Sequence, residues 1–336
     1  MDAAKAIGID EDEALEKLET LWSAYEEIAA EAARYDGSLG WKTNAGQDYL
    51  VHTVNLRYEG NRQRTRSLGP RSEETERRMA EFREGRERAR DRLDRIRSRL
   101  DTHGRVLKAL QLGRIPALTA RFLRELRAEG LGAKHFRVGG MAALAAYEVR
   151  ARTAMPFEVW TGPDFDMVPT ELFVRDRPLF DAIASRKIFG PVKWEADRIV
   201  LGRGVVIRLL DEPAADVWSD AIRAAGGRRA EIEALRWAFE LPTAVDLLAV
   251  GLDGSPAPVP AVDPRAYALL SAVEARFLAD ETEADRLRRV AVAAADSAGA
   301  IVPEPFEPGH LDPFPELAAV VEPGGIHADM PAVMRL

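Results

Sequence analysis

The sequence predicts an α+β protein with a small mixed sheet and flanking helices. An arm of helix, β-hairpin and helix precedes the sheet, and a helical part follows it. Three observations lead to this class. Apolar residues recur every three or four positions in 11–34 and 72–101, which is typical of amphipathic helices. Loosely alternating segments that flank short turns predict hairpins. Between these regions, the short apolar strand Phe136–Val138 enters a Gly-Gly pair that opens a helix.

The first 105 residues are predicted to form the arm. Its first helix covers 11–34, and Asp36-Gly37 ends that helix. A β-hairpin then pairs Tyr49–Arg57 with Arg62–Leu68. Its second helix, 72–101, is rich in arginine, but acidic residues stand four positions before several of the arginines. Such pairs favour an exposed, self-supporting helix over one that grips nucleic-acid phosphates.

Residues 106–215 are predicted to form the core domain around the sheet. The expected elements are the helices Pro116–Glu129, Met141–Arg150 and Leu172–Ala184, the strands Phe136–Val138, Glu158–Thr161 and Phe165–Val168, and the hairpin Asp197–Leu201 with Val205–Leu210.

Residues 216–300 are predicted to form a helical C-terminal domain. We expect helices at 228–240, Arg265–Ala279 and Glu283–Ala295, and a strand or helix start at Val245–Val250. From Ile301 prolines recur, which predicts an irregular tail over 301–336.

Composition excludes several classes of protein. The formal net charge of −8 argues against a general nucleic-acid coat, which needs an excess of Lys and Arg. Because the chain has no cysteine, disulfides, cysteine nucleophiles and Cys-based zinc sites are excluded. Neither a signal sequence nor an apolar run of membrane-spanning length is present. We therefore expect a cytoplasmic, bacterial protein without a membrane partner.

Two carboxylates define the candidate site. Asp164 and Asp166 flank a single apolar residue, so in a strand both side chains would point to one face. Gly139 and Gly140 lie at the predicted start of a helix, where backbone N–H groups can bind phosphate. Together these residues form a candidate Mg²⁺–phosphate site. The alternative is that the aspartates cap exposed turns.

This order of parts resembles the polymerase-β-like nucleotidyltransferase superfamily, whose pattern is a hydrophobic residue, Gly, then Gly or Ser, and an Asp-x-Asp pair. Three further segments resemble one bacterial branch of that superfamily and occur in the same order. They are Ser67–Glu76, Gly140–Glu148 and Asp253–Leu269. The resemblance implies a Mg²⁺-dependent or Mn²⁺-dependent enzyme that uses a nucleoside triphosphate.

The resemblance also implies residue roles. Asp164 and Asp166 would be catalytic metal ligands, and Gly139 and Gly140 would cradle phosphate. The candidates to neutralise phosphate charge are Arg208 and Arg265.

Three departures from the superfamily pattern put catalysis in question. In one register Met141 stands where the family has Thr or Ser beside the phosphate, while in the other Gly139 and Gly140 satisfy the pattern. A third carboxylate is expected on the strand after a Gly turn, and this chain has Arg208 there. A cation cannot ligate a metal and disfavours a second ion. Asp211 lies three positions further, so along a strand it would face the other way. Ser271 replaces the lysine of a His-Lys pair.

Three hypotheses therefore stay open. The first is an active enzyme that transfers a nucleoside monophosphate to a hydroxyl of RNA, protein or a small molecule, including a toxin-like role. The second is a catalytically degenerate module that binds a nucleotide or a partner and regulates. In the third, the arginine-rich helix 72–101 binds RNA or DNA.

Overall fold

The computed structural model divides into two compact units, residues 16–105 and residues 1–15 with 106–336. We call them the arm unit and the sheet unit. The residues that the structure describes are 5–56, 62–160, 169–174, 180, 192–195, 198–202, 205–211, 220, 222–224, 226–240, 245–307 and 309–321.

The arm unit contains a three-stranded antiparallel sheet and most of two long helices. The helices are α1 (Ile9–Ala33) and α2 (Glu73–Ala109), and the strands are β2 (Ser38–Asn44), β3 (Gln47–Leu56) and β4 (Arg62–Pro70). The β3–β4 hairpin confirms the sequence prediction. Strand β2 was not predicted, and Gly40 does not interrupt it. This glycine pairs with Val51 in the middle of the strand.

The arginine-rich helix α2 buries one narrow seam and exposes the rest of its surface. Met79, Ala89, Ile96 and Leu100 are buried on one side of the helix, and the last three follow the seven-residue and four-residue spacing of a coiled-coil seam. A Cβ on Gly85 would overlap the ring of Tyr35, so glycine allows this close approach. The seam confirms that the apolar stripe of this helix packs inside the arm.

The sheet unit is built on a mixed sheet, of which the structure describes seven strands. Their order is β11-β12-β5-β7-β10-β9-β8. Their bounds are β5 (Phe136–Gly139), β7 (Thr170–Val174), β8 (Val192–Trp194), β9 (Arg198–Leu201), β10 (Val205–Asp211), β11 (Val245–Val250) and β12 (Pro256–Ala261). A separate antiparallel pair joins β1 (Lys5–Ala6) to β6 (Thr153–Ala154).

The strand neighbours place three segments side by side at the middle of this sheet. Strand β7 pairs antiparallel with β5 on one side and parallel with β10 on the other. Strands β9 and β10 form the hairpin that the sequence predicts. Strands β11 and β12, which lie in the segment predicted to be helical, extend the same sheet beyond β5.

Helices surround the sheet and complete one large apolar core. Those of the sheet unit are α3 (Ala117–Ala128), α4 (Gly140–Ala151), α5 (Phe157–Trp160), α6 (Arg229–Glu240), α7 (Pro264–Phe277), α8 (Glu281–Ile301) and α9 (Pro315–Val321). Helix α4 is buried on all sides from Gly140 to Val149, which explains its almost uniformly apolar sequence. None of the described helices is long and apolar enough to cross a membrane.

Two local predictions were wrong. The segment Phe157–Trp160 is a helical turn and not a strand, and the Val159 N–H donates to the carbonyl of Pro156 at 3.1 Å. Residues 170–174 form strand β7 and not the start of a helix over Leu172–Ala184. Alternate burial of Thr170, Leu172 and Val174 shows a period of two that the helix prediction overlooked.

Candidate functional site

The glycine turn between β5 and α4 depends on its two glycines. Gly140 has φ +62°, a left-handed conformation that costs an L-residue with a side chain, and a Cβ there would overlap the carbonyl oxygen of Pro169. A Cβ on Gly139 would lie 2.8 Å from the ring of Phe173 and 3.2 Å from Oε2 of Glu171. The Gly-Gly pair therefore lets β7 pass directly against the turn.

Protein groups already occupy two of the N–H groups at this turn. The Gly140 N–H donates to the hydroxyl of Tyr267 at 2.9 Å, and the Met141 N–H donates to the carbonyl of Pro169 at 3.2 Å. Residues 139–143 are all buried. Phosphate binding by the Gly140 amide, as the sequence predicts, would require its hydrogen bond to Tyr267 to be exchanged.

Glu171 is the carboxylate that the structure places beside the glycine turn. It lies opposite Gly139 in the β5–β7 ladder and level with Arg208 in the β7–β10 ladder. Its side chain is 19% exposed, and Oε1 lies 3.8 Å from Nη1 of Arg208. Arg208 is 55% exposed, so its guanidinium still faces solvent. A carboxylate and a cation thus stand together on one face of the central strands.

The surroundings of Glu171 keep its proton affinity high. Burial is the main cause that raises the pKa of Glu171, and the negative charge of Glu274 raises it further. The positive charges of Arg208 and Arg286 lower it. Together these effects raise the pKa of Glu171 to about 7. The carboxyl can therefore gain or lose a proton near neutral pH.

Helices α7 and α8 provide the remaining charged and polar groups of this cluster. Tyr267 and Glu274 come from α7, and Glu283 and Arg286 come from α8. Burial raises the pKa of Tyr267 well above its ordinary value, so its hydroxyl remains neutral and can accept the Gly140 hydrogen bond. Arg286 donates to both carboxylate oxygens of Glu283, which fixes α8 locally.

Arg265 lies in the sheet unit with its guanidinium fully engaged by protein. It is 2% exposed, and it donates to both carboxylate oxygens of Asp263 at 3.1 and 2.8 Å. It also donates to the carbonyls of Glu304 and Pro305, and it lies over the ring of Trp237. Its predicted role in phosphate binding stays a prediction, which would require these contacts to change.

The two predicted metal ligands, Asp164 and Asp166, lie outside the described residues. Within the part of the chain that the structure describes, no group of three or more His, Asp or Glu side chains could hold a metal ion. Strand β10 continues through Asp211, whose backbone is level with Val174, so no turn follows Leu210.

Sequence reasoning missed Glu171. The available signal was the alternation Thr-Glu-Leu-Phe-Val, in which one acid stands within a strand pattern three residues after Val168. The helix predicted from Leu172 concealed that pattern. Its pairing with Arg208 could not be predicted from the sequence, because positions 171 and 208 are 37 apart in the chain and the parallel register joins them only in the fold.

The mixed sheet, its strand–glycine–helix turn and the flanking helices define an α+β fold of the nucleotidyltransferase type. A family model described as Nucleotidyltransferase matches residues 117–292, which is more than half of the 336 residues. The chain therefore belongs to this nucleotidyltransferase family. Neither the curated proteins nor the solved structures contain a significant match.

Proposed function

We propose that the protein transfers a nucleoside monophosphate from a nucleoside triphosphate to a hydroxyl acceptor, in a reaction that depends on Mg²⁺ or Mn²⁺. The observation that best supports this is the position of Arg208. Its guanidinium is half exposed, and on strand β10 it is level with Glu171 of β7, the residue that pairs with Gly139 at the glycine turn. A cation there can bind the triphosphate and its developing negative charge.

The residues fit one divalent ion better than two. Asp164 and Asp166 would hold it, because Mg²⁺ and Mn²⁺ prefer carboxylate oxygens. When bound, that ion would neutralise triphosphate charge and orient the α-phosphate. Arg208 stands where the superfamily resemblance expects a third carboxylate, and its positive charge disfavours a second ion.

A labelling experiment tests this proposal. Purified protein is incubated with Mg²⁺ or Mn²⁺, total RNA or protein extract, and triphosphates labelled at either the α-phosphate or the γ-phosphate. We expect the α-label alone to enter the acceptor, with pyrophosphate released. Asp166→Asn should abolish the transfer. If the wild-type protein transfers neither label under any of these conditions, the proposed activity is wrong.

The second candidate is a catalytically degenerate module that binds a nucleotide and regulates a partner. The hydrogen bonds that occupy the N–H groups of Gly140 and Met141 favour it, since an active site needs such donors free. It predicts that nucleotides raise the melting temperature without any turnover. Transfer that Asp166→Asn abolishes would rule it out.

If the enzyme has a toxin-like role, RNA is the acceptor that we propose. The helix that would bind it, α2, engages five of its arginines in ion pairs with Asp or Glu: Arg78, Arg88, Arg90, Arg92 and Arg97. Each such pair weakens the positive field that RNA would meet. RNA binding through α2 should weaken steeply as salt rises, and salt-insensitive binding would exclude this helix as the site.

A further inference from the structure

We propose that Glu171 is the general base of this site: its carboxylate takes the proton from the acceptor hydroxyl as that hydroxyl attacks the α-phosphate. In two-metal nucleotidyl transfer, one ion activates the hydroxyl instead. The inference rests on the proposed function and names a catalytic residue for it.

The position of Glu171 supports the role. Its Oε2 faces the glycine turn closely enough to lie 3.2 Å from where a Cβ of Gly139 would be. Its Oε1 faces Arg208, the residue proposed to bind the triphosphate. The carboxylate therefore lies between the helix start and the cation. Its side chain is 19% exposed, so Glu171 is not closed off from solvent.

The chemistry balances without a further reactant. The acceptor oxygen forms a bond to the α-phosphorus while its proton passes to Glu171. The bond between the α-phosphorus and the bridging oxygen breaks, and pyrophosphate leaves with both electrons of that bond. Arg208 stabilises the negative charge that develops on the phosphates. Glu171 then returns its proton to water, which restores the base.

Charged groups on three neighbouring elements set the protonation of Glu171. Arg208 faces it from β10, Glu274 and Tyr267 from α7, and Glu283 and Arg286 from α8. The acids raise and the arginines lower its pKa, and burial contributes the largest increase. A base with a pKa near the working pH combines a large ionised fraction with useful basicity. We therefore expect transfer to increase as pH rises through about 7.

Glu171→Gln tests the base directly, because it retains the shape of the side chain and loses the proton acceptor. We expect its transfer rate to fall by about 10²-fold to 10⁴-fold, as for a lost general base. The rate should also lose the pH dependence of the wild-type protein near neutrality. Nucleotide-induced thermal stabilisation should persist, since the proposed contacts to the triphosphate remain. Glu13→Gln, an exposed acid on α1, is the matched control and should behave as the wild type.

Glu274→Gln gives a second test that leaves Glu171 in place. Removal of the Glu274 charge should lower the pKa of Glu171, so the rising limb of the pH–rate profile should move to lower pH. An NMR titration of labelled glutamate carboxyls should show the same movement without any turnover. A folding defect of Glu171→Gln would not affect this test.

The outcomes separate this inference from the proposed function. If the wild-type protein transfers nothing, the proposed function is wrong, and Glu171 has no such role. If the wild-type protein transfers label and Glu171→Gln retains its full rate and pH profile, the general base lies elsewhere while the proposed function stands. An unchanged pH profile and carboxyl titration in Glu274→Gln would equally overturn the role of Glu171.

Discussion

At the scale of single residues, two effects organise the site: the left-handed backbone conformation of a glycine and the raised pKa of a buried carboxyl. Gly140 adopts a positive φ and touches the backbone of Pro169, so β7 can pass against the start of α4. That passage places Glu171 next to the turn, where burial raises its pKa. A conformational requirement at one residue thus leads to a chemical property at another.

Gly140→Ala should destabilise the protein by about 2–4 kcal/mol, because left-handed backbone costs roughly 1–2 kcal/mol and the new methyl group overlaps Pro169. Gly299→Ala is the matched control. Gly299 lies in helix α8, and a Cβ there meets nothing within 4 Å. That change should stabilise by up to about 1 kcal/mol. Urea unfolding of both variants measures the difference, and equal effects would contradict this account of the turn.

The buried carboxyl of Glu171 should make stability depend on pH. Its folded-state pKa is about 7 and its ordinary value is 4.5, so between these values the folded state holds a proton that the unfolded state has lost. The contribution of Glu171 to stability should therefore be largest below pH 4.5, and it should be lost as pH rises to about 7. The difference is on the order of 3 kcal/mol.

Glu171→Gln should remove that dependence, since the amide does not titrate. Denaturant unfolding at several pH values measures the free energy of unfolding of both proteins. The wild type should lose stability relative to the variant as pH rises from 4.5 to about 7. Parallel curves for the two proteins would show that Glu171 titrates normally.

At the scale of elements, strand β12 shows how local chemistry can mislead. Its sequence contains Pro256, Pro258 and Pro260, and proline is normally confined to edge strands and bulges, yet β12 is a fully buried strand between β11 and β5. Alternate residues of a strand point their N–H groups to the same neighbour, so the three prolines remove donors on one side only. The ladder with β5 is correspondingly short, with Ala261 paired to Val138.

The segment after α8 is the second element whose structure the composition obscured. Residues 301–321 were expected to be an irregular tail, but they include helix α9 and bury Phe306, Phe314 and Leu317 in the main core. Arg265 and Arg276 donate to backbone carbonyls of this segment, and Arg276 lies over the ring of Phe314. The described part of the tail is therefore an integral layer of the sheet unit.

Phe314→Ala should cost about 3–5 kcal/mol, because the ring is 0% exposed and its removal leaves a cavity. Phe157→Ala is the matched control, since Phe157 is 62% exposed, and should change stability by less than about 1 kcal/mol. Thermal and denaturant unfolding measure both variants. If Phe314→Ala unfolds like the wild type, the tail does not contribute to the core.

At the scale of the whole molecule, the sequence predicted the fold class because its longest patterns were local. The helical stripes of α1 and α2, the β3–β4 hairpin and the glycine turn each depend on residues close in the chain. The candidate site depended on contacts between distant residues. Nothing in the sequence indicated that Glu171 would lie level with Arg208, or that Tyr267 would bind the Gly140 amide across 127 residues.

Arg208 marks the limit of what a family resemblance implies. The resemblance correctly led to the nucleotidyltransferase family. It also implies a third carboxylate on the strand that carries Arg208, and that role of the strand stays a prediction. It does not imply a role for a cation at the position of Arg208. The fold answers part of that question, since Arg208 pairs with a carboxyl on the neighbouring strand. On our account, the pair of Arg208 and Glu171 takes the place of one metal ion.

The number of metal ions bound with a triphosphate tests that account most directly. Crystals grown with Mn²⁺ and a non-hydrolysable triphosphate would locate each ion by its anomalous scattering. We expect a single Mn²⁺ held by Asp164 and Asp166, Arg208 bound to the triphosphate, and a Glu171 oxygen facing the α-phosphate. Two Mn²⁺ ions, or a triphosphate bound away from Arg208, would contradict it.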